Sequence, residues 1–299
     1  MVKGTITYRP AIKKDIPQLV ALMNAQYQRK INTAYFKWQY FSSAYPTILF
    51  CALEKNNIVG MFGLQKKVLS NKLKAGQAID MLIAPLYRGQ GIFKKLADLA
   101  TGHFKDLDLL CVLPNSVGKN AVVSSLGWKN IGKLDVLRSS VKRSVTINSE
   151  KKSLNRRYER PVHFRYTEAL REWRFKKNPT YTYYRIQASN QIYAMVKIFT
   201  DPVSDLRFGD IVDIHCPLNE SSKIKLLIVK AMVFLSRQKV KEITMWALEH
   251  LLLYEILLSL GFKKRSQERY FCVKMISKKA SYLKDLKKWH LVQADTEFF

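Results

Sequence analysis

Residues 80–95, DMLIAPLYRGQGIFKK, constrain this chain more than any other stretch. A short apolar run at 81–84 stops at Pro85. A basic turn, Arg88-Gly89-Gln90-Gly91, follows, and a helical pattern starts at Ile92. A strand passing through a glycine turn into a helix makes an α/β unit with an anion site at its junction. The amides of the first helical turn have no partner inside the helix, and the helix dipole favours negative charge there. Glycine lets the backbone come close to a bulky guest, and the guest that suits such a turn is a pyrophosphate. The turn matches neither G-x-x-x-x-G-K-[ST] nor G-x-G-x-x-G, so ATP and NAD are not its first candidates. As a bare string RGQG is common; its place between strand and helix gives it weight.

The flanks extend this unit into a mixed α/β domain. Residues 8–20, YRPAIKKDIPQLV, predict an opening strand and a first helix, with Asp15 at the N-cap and Pro17 in the first turn. Residues 49–52 and 58–63 predict two strands around an Asn56-Asn57 turn, a hairpin. Residues 109–113 predict a further strand. Pro114-Asn115-Ser116 then leads into a helix that closes on Leu126-Gly127-Trp128.

Arg88 and Gly91 fill the first and fourth places of the pattern [RQ]-x-x-G-x-[GA]. With its flanks, the loop resembles the acyl-CoA pyrophosphate loop of the GNAT acyltransferase superfamily, over residues 5–143. Phe93 stands where the family has Gly or Ala; its ring either crowds the phosphates or points into the core and leaves the amides open. The resemblance implies acetyl-CoA or another acyl-CoA as co-substrate, with no metal. It assigns the phosphate cradle to the amides of Arg88, Gly89, Gln90, Gly91, Ile92 and Phe93. It also implies a central strand that splits from its neighbour beside the loop, with the backbone of Leu82, Ile83 and Ala84 positioning the thioester. Asp80, a carboxylate at the start of an apolar strand, is the candidate base or amine-binding group, since burial raises a carboxyl pKa toward a useful range. The alternative is a strand-end carboxylate that caps a turn or pairs with a lysine. Asn115 either contacts the pantetheine arm or caps the following helix. The place of the family's general-acid Tyr is held by Val123, beside Ser124; in the second half it is Leu257, with Tyr254 one turn earlier.

The chain also reads as a duplication. Trp38-Gln39-Tyr40 before Tyr45-Pro46 parallels Trp173-Arg174-Phe175 before Asn178-Pro179. Asp80 before Pro85 parallels Asp213 before Pro217, and Leu126-Gly127-Trp128 parallels Leu260-Gly261-Phe262. The second copy lacks the glycine turn and carries Glu220, which would repel a phosphate. The fold class expected is therefore mixed α/β (α+β): two tandem GNAT-like domains, each a mixed, mostly antiparallel sheet flanked by helices, with a degenerate second copy. The domains would be residues 1–145 and 146–299, joined by a polar linker within 144–160. Paired GNAT-like domains of bacterial surface-polysaccharide gene clusters are similar over nearly the whole length, including a tail with Trp289 that ends in Phe.

Composition narrows the partners. Lys and Arg number 51 against 23 acids, a net charge of +28 over 299 residues, which draws anions toward the surface. The basic residues are spread along the chain and form no nucleic-acid arm. The opening MVKGTITYRP has no apolar signal segment, and no run of 18 apolar residues occurs, so a cytoplasmic protein is expected, its charge compatible with peripheral contact at an anionic membrane. Cys51, Cys111, Cys216 and Cys272 form no C-x-x-C pair, and the five histidines have no metal spacing. The leading expectation is N-acyl transfer to a small-molecule or glycan-precursor amine, with an amino sugar suggested by the resemblance alone. The alternatives are an aminoacyl-tRNA-dependent peptidyltransferase, to which the charge is suited, and a non-catalytic module for nucleic acid or an acidic polymer. The sequence does not set the oligomeric state.

Overall fold

A computed structural model of the chain describes residues 5–27, 30–140, 161–201 and 204–296. The expected linker and the last three residues of the tail lie outside that set. The first half of the chain runs β1 (Ile6–Pro10), α1 (Ile16–Gln26), α2 (Thr33–Phe36), β2 (Thr47–Glu54), β3 (Asn57–Val68), β4 (Lys74–Ile83), α3 (Ile92–His103), β5 (Leu109–Val112), α4 (Ser116–Leu126) and β6 (Lys129–Ser140). The second half runs α5 (Glu168–Arg171), β7 (Tyr183–Ser189), β8 (Ile192–Thr200), β9 (Arg207–His215), α6 (Ser221–Arg237), β10 (Glu242–Ala247), α7 (Leu252–Ser259) and β11 (Lys263–Met275).

These elements form two compact units that do not follow chain order. One comprises Met1–Ile131, Phe164–Thr180 and Phe271–Lys284; the other comprises Gly132–His163, Tyr181–Tyr270 and Asp285–Phe299. In the first unit the sheet order is β1-β2-β3-β4-β5, antiparallel except for the parallel pair β4/β5, and the end of β11 pairs antiparallel with β5, Cys272 opposite Val112. In the second unit β7, β8 and β9 are antiparallel, β9 and β10 are parallel, and β6 lies antiparallel to β10, Val136 opposite Trp246. Each unit thus takes the strand beyond its parallel pair from the other half of the chain. The sheets are mixed and mostly antiparallel, as expected. The expected cut at 145/146 falls outside the described residues, and it groups β6 with the first half. Sequence similarity follows chain order and carries no sign of which sheet edge a strand joins.

Alternation along the strands builds the core of the first unit in two layers. Phe62 and Leu64 of β3 face α3 (Leu96, Ala97, Ala100) and Trp128, whereas Met61 joins Leu19 and Met23 of α1, Phe36 and Ile79 on the other face. In the second unit α6 buries Ile224, Leu227, Ile228, Ala231 and Leu235, the stripe expected of a helix against a sheet. No disulfide joins the four cysteines, and burial pushes the thiols of Cys51 and Cys216 up to about 12 and that of Cys272 up to about 11.

Two local expectations differ from the structure. The β2–β3 turn is Lys55-Asn56, one residue early, with φ +54° at Lys55 and Asn57 already paired to Glu54. Asp15 stands at the N-cap of α1 as expected, but its side chain makes no cap bond. Its carboxylate instead receives the Arg9 guanidinium at 2.6 and 2.8 Å and the Ile12 amide at 2.8 Å, which hold it below the usual carboxylate range.

The two Trp motifs meet. Both α2 and α5 run straight into π-helical turns, Lys37–Phe41 and Glu172–Lys176, capped at their starts by Asn32 and Thr167. The Trp38 and Trp173 rings stack 4.5 Å apart at 16°. Each indole N–H donates to the other residue's carbonyl, at 3.1 and 3.3 Å, and Tyr35, Tyr45 and Leu170 complete the cluster. Trp173→Ala is expected to cost about 3–5 kcal/mol in urea unfolding, because it opens a large cavity and orphans the Trp38 N–H. A loss under about 1 kcal/mol would remove the pair from the core.

Candidate active site

The site begins with a break in register. Along β3 and β4, Met61 faces Leu82 but Gly63 faces Ile79, so Asp80 and Met81 together oppose Phe62. This is a β-bulge, which bends a strand and re-aims a side chain. Asp80 sits at it with φ +45°, a left-handed conformation that costs an L-residue roughly 1–2 kcal/mol and that Asp tolerates better than most. Its side chain is buried, and one carboxylate oxygen accepts the hydroxyl of Tyr40. Tyr40 belongs to the first π-turn, and its ring lies 4.5 Å from Phe36. Gly63 makes room for it: a Cβ there would come 3.1 Å from Tyr40 Cε1 and 2.9 Å from the Ile79 carbonyl. The sequence marks Tyr40 only as part of the repeated Trp motif and does not link it to Asp80.

The pairing of β4 with β5 stops before the bulge, close to where β5 itself ends at Val112. Their parallel ladder covers Ala75 to Gln77, short of Asp80. Leu82 and Ile83 are buried. The amide of Ala84 donates to Val59 O at 2.8 Å. That corrects the expectation for Ala84, whose N–H is used inside the sheet. Amides alternate along a strand, so the N–H of Ile83 points away from β3, at a level past the end of β5.

The turn keeps its expected form. Gly89 and Gly91 have φ +74° and +76°, and a Cβ on either would meet nothing within 4 Å. Space is therefore open outside the turn, and glycine is required there by conformation rather than by crowding. Gly91 is the N-cap of α3, and the first bond in the helical pattern runs from Lys95 N to Gly91 O. The amides of Ile92, Phe93 and Lys94 precede it and face outward. The Phe93 ring packs 5.9 Å from Phe62 on the core side, the second of the two positions open to it. The Arg88 guanidinium is turned toward the protein: Nε donates to Ile83 O at 3.1 Å and an Nη to Gln26 Oε1 at 2.6 Å. Gln90 donates to Leu86 O. Tyr87 donates to Glu54 at 2.6 Å, which raises its pKa.

Residues 16–121 match the model of the Acetyltransferase (GNAT) family, a span that holds the bulge, the end of the β4/β5 ladder and the whole turn. This part of the chain is a GNAT domain. No curated protein matches the sequence. Among solved structures, a GCN5-related N-acetyltransferase from Anabaena variabilis superposes with TM-score 0.62 at 13% identity, over 91% of this chain and 73% of that one. A tandem GNAT protein from the clavulanic acid biosynthesis pathway gives 0.58 at 14%, over 91% and 98%. The third is a GCN5-related glucosamine N-acetyltransferase region in a fungal multi-domain GH3 β-N-acetylglucosaminidase, at 0.59 and 16%. The match covers 92% of this chain but only 38% of the fungal one. At such identities the likeness is one of fold.

Within the GNAT domain, Asn115 caps α4, its Oδ1 accepting from Gly118 N at 2.9 Å. Val123 is an exposed residue of α4, so the helix offers no phenol at the place the family uses. In the other unit Tyr254 is buried and donates to Asp135 at 2.9 Å; burial first, and then that bond, push its phenol up to about 12. Asp213 is buried too, accepting from the Ile214 amide, while Glu220 pairs with Lys223 where the first copy has its glycine turn. Among the described residues no cluster of His, Cys, Asp or Glu could hold a metal ion, and no helix is long and apolar enough to cross a membrane.

Proposed function

We propose that the chain is an N-acyltransferase that moves an acetyl or longer acyl group from acyl-CoA to a primary amine. The observation that carries this is a β4/β5 ladder that ends short of the bulge, beside a two-glycine turn with open space at both glycines and a helix starting directly after it. Arg88 to Phe93 would hold the pyrophosphate with backbone amides, reinforced by the dipole of α3. The Ile83 backbone would line the pantetheine arm and set the thioester, and a backbone N–H there would stabilise the oxyanion. Asp80 would take the proton of the attacking amine. The C–N bond forms, the C–S bond breaks, and the thiolate leaves with a proton from solvent or the site.

The acceptor we propose is an amino sugar of a surface-polysaccharide precursor. Two things support it: the likeness of the paired Trp motifs to proteins of such gene clusters, and the fold neighbour described as a glucosamine N-acetyltransferase region. The net charge of +28 suits an anionic, nucleotide-linked form. We further propose that residues 1–145 and 146–299 arose by duplication and that the protein works in the cytoplasm. The decisive experiment follows free-thiol release from acetyl-CoA with glucosamine, a nucleotide-linked amino sugar and a lysine peptide. Release should depend on an amino sugar and fall about 100-fold or more in Asp80→Asn. Release with the peptide alone would change the acceptor class. Transfer from aminoacyl-tRNA but not from acetyl-CoA would replace the reading.

A further inference from the structure

We infer that Tyr40 is the positioning residue for Asp80: its hydroxyl fixes the carboxylate in one orientation and holds it as the anion that accepts the amine's proton. The inference rests on the acyltransfer reading and deepens it. Three departures from regular structure converge on this one bond. The π-turn at Lys37–Phe41 places a tyrosine at the sheet face; π-turns concentrate at functional sites because they re-aim side chains at a cost in helix geometry. The bulge and positive φ at Asp80 turn its carboxylate toward that phenol. Gly63 leaves the gap that the ring occupies. The second Trp motif has the same π-turn with Phe175 in this place, so the turn delivers a ring; the hydroxyl of Tyr40, the bulge and the positive φ of Asp80 add the contact with the carboxylate.

The surroundings make the bond matter. Opposite Asp80, β3 offers Met61, Phe62, Gly63 and Leu64, which bring no charge. β4 itself offers Ile79, Met81 and Leu82 on either side. The cations further along β3 are engaged elsewhere: Lys66 faces Gly76 and pairs with Asp106, and Lys67 faces Ala75 and lies over the Tyr45 and Phe164 rings. Tyr40 is a titratable group in direct contact with the Asp80 carboxylate. A donor to the charged form favours ionisation, so this hydroxyl opposes the burial that would keep the acid protonated.

Tyr40→Phe keeps the ring and removes the hydroxyl. The Asp80 carboxyl carbon can be followed by NMR in Asp-labelled protein, assigned by its loss in Asp80→Asn. In Tyr40→Phe it should titrate about one pH unit higher than in the wild type. In thiol-release assays kcat should drop about tenfold with KM for acetyl-CoA unchanged, and the acidic limb of the kcat profile should move to higher pH by the same amount. The substitution should have no further effect in an Asp80→Asn background. An unmoved Asp80 titration in a folded Tyr40→Phe protein overturns the pairing; a moved titration with an unmoved kcat limb overturns its part in the reaction. A wild type that transfers nothing from acetyl-CoA would sink the acyltransfer reading, while the NMR titration still decides the pairing.

Discussion

Gly91→Glu is expected to weaken acetyl-CoA binding by about 100-fold or more in calorimetric titration, roughly 2.7 kcal/mol, without unfolding the protein. A Cβ at 91 meets nothing within 4 Å, so the new side chain has room. Two penalties act on the ligand all the same. The φ of +76° is held at roughly 1–2 kcal/mol by any L-residue, so the turn relaxes away from the geometry that lets phosphates approach. The carboxylate also sits where the amides of Ile92, Phe93 and Lys94 would meet the pyrophosphate, and competes for the same positive helix end. Gly102→Glu is the control. It adds the same charge near the far end of α3, at an exposed helical position that also has open space, and should bind acetyl-CoA as the wild type does. Equal binding by the two variants would mean that the turn is not the donor site.

How much of this site could be read from the sequence depends on the range of the interactions. The strand, turn and helix of residues 80–95 were legible because each signal is local: Gly89 and Gly91 mark backbone that other residues avoid, and the helix pattern opens directly after them. The Tyr40–Asp80 bond was not legible. Its partners are 40 residues apart, and the π-turn that aims Tyr40 leaves no periodicity distinct from that of an ordinary helix. Asp80 was singled out for its place before an apolar strand, but the bulge that turns it comes from register against β3, which sequence does not record. The Trp motifs were visible as a repeat; that Trp38 and Trp173 stack on each other across 135 residues was not. Asn115 had two roles open, and the cap belongs to the shorter-range one. For Ala84 the family pattern named the right strand but not which of its alternating amides face out.

A chain cut between residues 145 and 146 should give two fragments that aggregate or stay unfolded when made separately and recover a folded, acetyl-CoA-binding complex when made together. Chain order suggests that such a cut separates two domains; the composition of the units argues otherwise. The first fragment lacks Phe271, Cys272 and Val273, which are almost wholly buried in the unit built on β5. It also lacks Trp173, the stacking partner of Trp38. Phe271 and Val273 are worth about 1.5–3 kcal/mol each when fully buried, and a large aromatic more. The deficit therefore approaches the roughly 5–15 kcal/mol that separates a folded domain from its unfolded chain. The second fragment lacks β6, with Leu134, Val136 and Leu137 in its core. It also lacks Asp135, the carboxylate that receives Tyr254 at 2.9 Å and Lys264 at 2.7 Å. Without that carboxylate the buried Tyr254 hydroxyl loses its acceptor, a further cost of about 1–3 kcal/mol. Exposed edges on β5 and β10 would then invite pairing with other chains. Circular dichroism and size-exclusion chromatography of each fragment, alone and co-expressed, decide the matter. A fragment of residues 1–145 that folds alone and binds acetyl-CoA would show that the exchanged strands are dispensable additions to self-sufficient domains.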